Sequence, residues 1–141
     1  MVSENEGPAA ADLAAAVAQM PFAAALGVVL DAAAADEVRG RLAWAQERCT
    51  TAGIMHGGAL MGLADTLGGL CAFLNLPEGA WTTTIESKTN FFRAVREGTT
   101  ITGRAEPLHV GRSTIVVRTQ VSAGDRQVAH VIQTQAVLSS G

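Results

Sequence analysis

The sequence is poor in charge, poor in cysteine and without any basic run. Charged residues make up 16% of it against 48% apolar, which excludes a disordered or nucleic-acid-coating chain. No block of Lys or Arg stands out and the net charge is −3, so DNA, RNA and anionic membranes are excluded as main partners. Cys49 and Cys71 are the only cysteines, with no CxxC or HxxxH spacing, so no metal site is expected. They read as two reduced thiols in a cytoplasmic protein. The opening stretch, MVSENEGPAAADLAAAVAQM, starts acidic and lacks a basic n-region, so it is not read as a signal peptide. One apolar run, 57–76, approaches the roughly 18–20 residues of a membrane span. It contains Asp65, Thr66, Asn75 and five glycines and lacks basic flanks, which argues against spanning.

What is present fits a single compact domain, since 141 residues can bury a sizeable core. Residues 9–20 read as a short Ala-rich helix with Pro8 at its start. Residues 31–37 read as a turn. Alternation over 37–45 places Val38, Leu42 and Trp44 on one strand face and Arg39 and Arg41 on the other. After the apolar helix, Pro77 and Gly79 break the chain, and four strands are expected at 81–92, 99–109, 112–122 and 126–138. Their short separators favour antiparallel meander connections. One long helix covered by one antiparallel sheet is a two-layer α+β arrangement.

Stepping about 100° per residue sorts the helix into two faces. Leu60, Leu63, Leu67, Leu70 and Leu74, with Ala64 and Cys71, form the face expected against the sheet. Gly58, Gly62, Asp65, Gly69 and Ala72 share the opposite stripe. Helix-interior glycine is unfavourable by about 1 kcal/mol relative to alanine, so the stripe marks close packing, room for a ligand beside Asp65, or both. A carboxylate in apolar surroundings is costly unless solvated, paired or used. Asp65 has no Lys or Arg in its run, so it is either satisfied by backbone or hydroxyl donors or put to chemical use.

The helix begins with His56-Gly57-Gly58. Free N–H groups and the helix dipole favour negative charge there, such as the oxyanion of an attacked carbonyl, with His56 as a cap. Gly57 and Asp65 lie eight residues apart, about 12 Å along a helix. A reacting group must come within about 3–3.5 Å of its target, so if both act on one carbonyl they come from different subunits.

Residues 53–65, GIMHGGALMGLAD, and 82–121, TTTIESKTNFFRAVREGTTITGRAEPLHVGRSTIVVRTQV, resemble the hot-dog-fold acyl-CoA thioesterases. The nearest likeness is to the phenylacetate-pathway (PaaI-like) and 4-hydroxybenzoyl-CoA thioesterase branch. The resemblance covers residues 22–138. It implies a long helix wrapped by an antiparallel sheet, an N-terminal segment over 1–21 and a hot-dog domain over 22–141. It also implies a homodimer with its sites between subunits, pointing further to a tetramer. By resemblance Asp65 is the catalytic carboxylate, as general base or nucleophile. Gly57 supplies the N–H that polarises the thioester carbonyl, His56 holds that loop, and Thr84 places water beside the carboxylate. Coenzyme A contacts fall around Arg93 and the segment His109, Gly111, Arg112, Ser113 and Thr114. Coenzyme A is part of the substrate, and no cofactor or metal is implied.

Two positions depart from that pattern. Thr50 stands where the family often carries Asn or Gln beside the carbonyl or attacking water, and Ala94 replaces a common proline. The activity implied is hydrolysis of an aryl- or medium-chain acyl-CoA. The pocket is assigned to apolar residues near 20–30 with Met61, Phe73, Phe91 and Phe92. The alternative kept open by Thr50 is a non-catalytic acyl-CoA sensing module. A hydratase is disfavoured because no His–acid pair is evident near Asp65.

Overall fold

The computed structural model describes residues 7–139. The first six residues of the expected N-terminal segment and the last two of the expected domain therefore lie outside the described residues. Ala-rich sequence forms α1 (Ala10–Ala18), and Pro21 opens α2 (Pro21–Leu26) at the position where its fixed φ suits a helix start. The expected segment boundary, between residues 21 and 22, falls inside α2. Then come β1 (Val29–Ala33), β2 (Val38–Ala43), two short 3-10 turns, α3 (Gly57–Phe73), β3 (Ala80–Phe91), β4 (Thr100–Val110), β5 (Thr114–Ala123) and β6 (Arg126–Ser139).

All six strands form one antiparallel sheet in the order β1-β2-β4-β5-β6-β3, and α3 packs on β2 through β6. The expected α+β arrangement is present, with one correction to its wiring. Only β4, β5 and β6 form a meander; β3 pairs along its whole length with β6 instead of β4. The short stretch after β3 crosses to the interior of the sheet, so β3 becomes an edge. The run 31–37 is also only partly a turn: Asp31, Ala32 and Ala33 belong to β1, because Leu30 in that strand is buried against the core.

The core lies between α3 and the sheet. Leu60, Leu63, Leu67, Ala64 and Cys71 are buried there, as the helical angles predict. Leu74 is not, because the helix ends at Phe73 and Leu74 turns outward. Ala72, assigned to the open stripe, is fully buried. Leu67 sits over a notch in the sheet made by two glycines, Gly40 of β2 and Gly103 of β4, which are paired across the strands. A Cβ at Gly40 would lie 2.8 Å from Leu67 Cδ2, and one at Gly103 only 2.5 Å from Leu67 Cδ1. The two missing side chains let the helix approach the sheet. Burial pushes the Cys71 thiol from 9.0 up to about 11, helped by Asp36 and Glu106, which leaves it an inert core residue at neutral pH. No helix among the described residues is long and apolar enough to cross a membrane.

Leu67→Ala should empty this notch and destabilise the fold by about 2–5 kcal/mol, read from the midpoint of urea denaturation.

Candidate active site

Asp65 is exposed in the single chain, because its stripe of α3 faces away from the leucines and the sheet does not cover it. This corrects the picture of a carboxylate held in apolar surroundings. It is nevertheless held by hydrogen bonds. The Thr84 hydroxyl donates to Oδ1 at 2.9 Å, and the Gln133 side-chain amide donates to the same oxygen at 3.1 Å. Oδ2 receives no hydrogen bond among the described residues. A bulge in β3 between Thr84 and Glu86 sets this up. It changes the phase of the strand, so Thr82 and Ser87 are sheltered while Glu86 and Lys88 lie exposed. Thr84 and Glu86 thus do not continue one alternating face.

Asp65 opens into a hollow of about 450 Å³ lined by Met20, Phe22, Thr66, Gly69, Thr82 and Gln135, among others. Its outer wall is α2. A Cβ at Gly62 would lie 2.8 Å from Leu26 and 3.3 Å from Phe22, so that glycine admits α2 of the same chain. At Gly69 a Cβ would meet nothing, so there the stripe is open. Arg48 fixes α2 by donating to the Leu26 carbonyl, and to Ala43 O at 2.9 Å.

The other half of the predicted chemistry lies at the N-terminus of α3. His56 caps the helix, its Nδ1 accepting from Gly58 N at 2.7 Å. Met55 N donates to Val95 O, His56 N to Arg48 O, and Ala59 N and Leu60 N to His56 O. From Met55 to Leu60, the Gly57 N–H alone lacks a partner among the described residues. Gly57 borders a second hollow, about 440 Å³, with Thr50, Phe91, Phe92, Arg93 and Val95. A Cβ at Gly57 would lie 3.0 Å from the Phe91 ring.

The two hollows share no lining residue. Thr84 joins Asp65, whereas Thr50, Arg93, Phe91 and Phe92 join Gly57. Met61 and Phe73 are exposed and line neither hollow. Arg93 is pinned by donating to Gln127 O at 2.8 Å, beside the start of β6. His109, Gly111, Arg112, Ser113 and Thr114 lie together at the β4–β5 turn, closed by Gly111 N donating to Thr114 O at 2.8 Å. Thr114 pairs with Ala136, which pairs with Thr83, so this turn belongs to the Asp65 end of the sheet and Arg93 to the Gly57 end. Gln133 and Gln135 were missed by sequence reading. Their signal was two glutamines in the inward phase of β6, where Val131 precedes them in the core.

Against known proteins, the sequence profile described as the thioesterase superfamily matches residues 52–130, more than half of the chain. A putative esterase of Vibrio cholerae is 42% identical over 69 residues, 49% of this chain and 45% of that protein. The chain thus spans about half the length of that curated relative. A thioesterase from Haemophilus influenzae superposes with TM-score 0.85 at 24% identity, over 95% of this chain and 93% of that one. A hypothetical thioesterase from Streptococcus pneumoniae, solved with coenzyme A, superposes with TM-score 0.78 at 22% identity, over 88% and 98%. The fold is the hot-dog fold.

His56→Ala removes the cap and should lower stability by about 1 kcal/mol in urea denaturation, with the native circular dichroism retained.

Proposed function

The chain belongs to the thioesterase superfamily, and from that premise we propose that it hydrolyses an acyl-CoA thioester to the free acid and CoA in sites shared by two subunits. The observation that carries this reading is the division of the machinery. Asp65 and Gly57 open into separate hollows of one chain, at opposite ends of β3.

The edge of β3 is twelve residues long and carries exposed Trp81, Ile85 and Phe91. A long apolar edge of this kind is a template for pairing with another chain. Antiparallel pairing of two β3 edges about a twofold axis sets the start of one strand against the end of the other. Asp65 of one subunit then faces Gly57 of the partner subunit, and the 109–114 turn faces Arg93 of the partner subunit. One symmetry operation unites both pairs. The coenzyme A bound to the Streptococcus pneumoniae protein supports a CoA ester as the ligand class.

In this reading the Gly57 N–H, at the positive end of α3, donates to the thioester carbonyl oxygen and stabilises the oxyanion. Asp65 Oδ2 takes a proton from water, or attacks the carbonyl carbon itself. The thiolate leaves readily, so one carboxylate and one oxyanion donor suffice without a metal or redox group. Phe22 and Met20 on one side and Phe91 and Phe92 on the other offer an apolar surface suited to an aryl or medium-chain acyl group.

CoA thiol release from a panel of aryl-, short- and medium-chain acyl-CoAs tests this. Asp65→Asn should lower kcat by about 10²–10⁴-fold on the substrates that wild type turns over. Wild-type turnover by Asp65→Asn would sink the assignment; binding of the esters without turnover by wild type would make the protein a sensor.

A further inference from the structure

Behind Asp65 the core contains two glutamines that a hydrophobic sheet does not need. Gln133 is 0% and Gln135 1% exposed. Both point from β6 toward the same carboxylate by different routes. Gln133 Nε2 donates directly to Asp65 Oδ1 at 3.1 Å. Gln135 Nε2 donates to Thr84 Oγ1 at 2.6 Å, which leaves the Thr84 proton to go to Asp65 Oδ1 at 2.9 Å. The Thr82 hydroxyl, 3.2 Å from Gln135 Oε1, closes the far end of that chain.

The other end of the Gln133 amide gives a second, independent observation. Gln133 Oε1 is buried with no partner among the described residues. It lies against Gly68, where a Cβ would be only 2.1 Å from it. A helix glycine and an unpaired core oxygen are both unfavourable, and an apolar side chain at 133 would relieve both. The amide cannot gain by turning over, since it would then present Oε1 to the Asp65 oxygen, acceptor against acceptor. The arrangement makes sense if the donated bond to Asp65 is what the side chain is for.

We infer that Gln133, seconded by Gln135 through Thr84, is a positioning residue that anchors Asp65 by Oδ1 and leaves Oδ2 as the oxygen that meets water or thioester. The inference rests on the reading of Asp65 as base or nucleophile. Donors on Oδ1 fix the plane of the carboxylate, so Oδ2 is presented in one direction. Around Asp65 the hollow is lined by Met20, by Phe22 of α2, by Thr82 and Thr84 of β3 and by Gln135 of β6, with Gln133 lying behind it in the core.

The test compares wild type, Asp65→Asn, Gln133→Met and Gly68→Ala for melting temperature, kcat and KM. Gln133→Met removes the donor at similar volume. Gly68→Ala removes no polar group but displaces the end of Gln133. Both should lower kcat about tenfold, the size of one hydrogen bond to a charged group, with KM changed by less than about twofold. If both variants fold and run at the wild-type kcat, the inference is overturned while inactive Asp65→Asn keeps the broader reading. Full turnover by Asp65→Asn overturns both. If Gln133→Met does not fold, NMR of the wild-type protein decides. The Gln133 side-chain amide proton bonded to Asp65 should lie downfield and move upfield in Asp65→Asn; an amide whose resonances are the same in both proteins overturns the inference.

Discussion

The seat of α3 on the sheet is the constraint from which the rest follows. Leu67 enters the notch left by Gly40 and Gly103, and Gly68 leaves the space that Gln133 fills. Both contacts shorten the distance between helix and sheet. A helix held farther off would still be amphipathic and would still bury its leucines, but the Thr84 hydroxyl and the Gln133 amide would no longer reach Asp65. Backbone glycines in two strands and one helix thus set the geometry of a carboxylate none of them touches. The same packing buries the opposite side of α3 and leaves the Asp65 stripe facing outward, where α2 covers it only in part.

That outward stripe and the β3 edge belong to one physical problem. β3 is long, pairs on one side only, and carries large apolar side chains. A stable monomer would leave this edge exposed to any other strand. In the proposed dimer, two copies pairing through it would remove the edge and bring the two hollows together. The Gly57 N–H has no partner among the described residues, and Asp65 Oδ2 has none either. Each is a group of the kind that a substrate completes.

Much of this was legible in the sequence, for reasons that differ by element. The helical spacing of leucines located α3 and its buried face, and the eight-residue interval from Gly57 to Asp65 already required two subunits if the two act together. Alternation located β3 to β6 to within a residue or two. The partner of β3 was not legible, because strand order depends on which edge the helix leaves free and not on local pattern. The bulge after Thr84 was likewise hidden, since one extra residue reverses the phase without any Gly to announce it. The helical angles placed Asp65 on the stripe away from the leucines, but its neighbours in space, α2, Thr84 and Gln133, could not be read from its apolar neighbours in sequence. The glutamines of β6 were visible as polar residues in a core phase, yet only the folded register shows that they converge on Asp65. Arg48 carried no sequence signal at all, as its work is to bond carbonyls brought near by the fold.

The claim that two chains complete one site is tested most directly by mixing two inactive proteins. Gly57→Pro removes the N–H at a helix position where proline is tolerated, and Asp65→Asn removes the carboxylate. Each homodimer should be inactive. Co-refolded in equal amounts, random pairing gives mixed dimers in which one of the two sites is intact, so about a quarter of wild-type activity should return. Mixed dimers that form and remain inactive would contradict the shared site and place both groups' work within one chain.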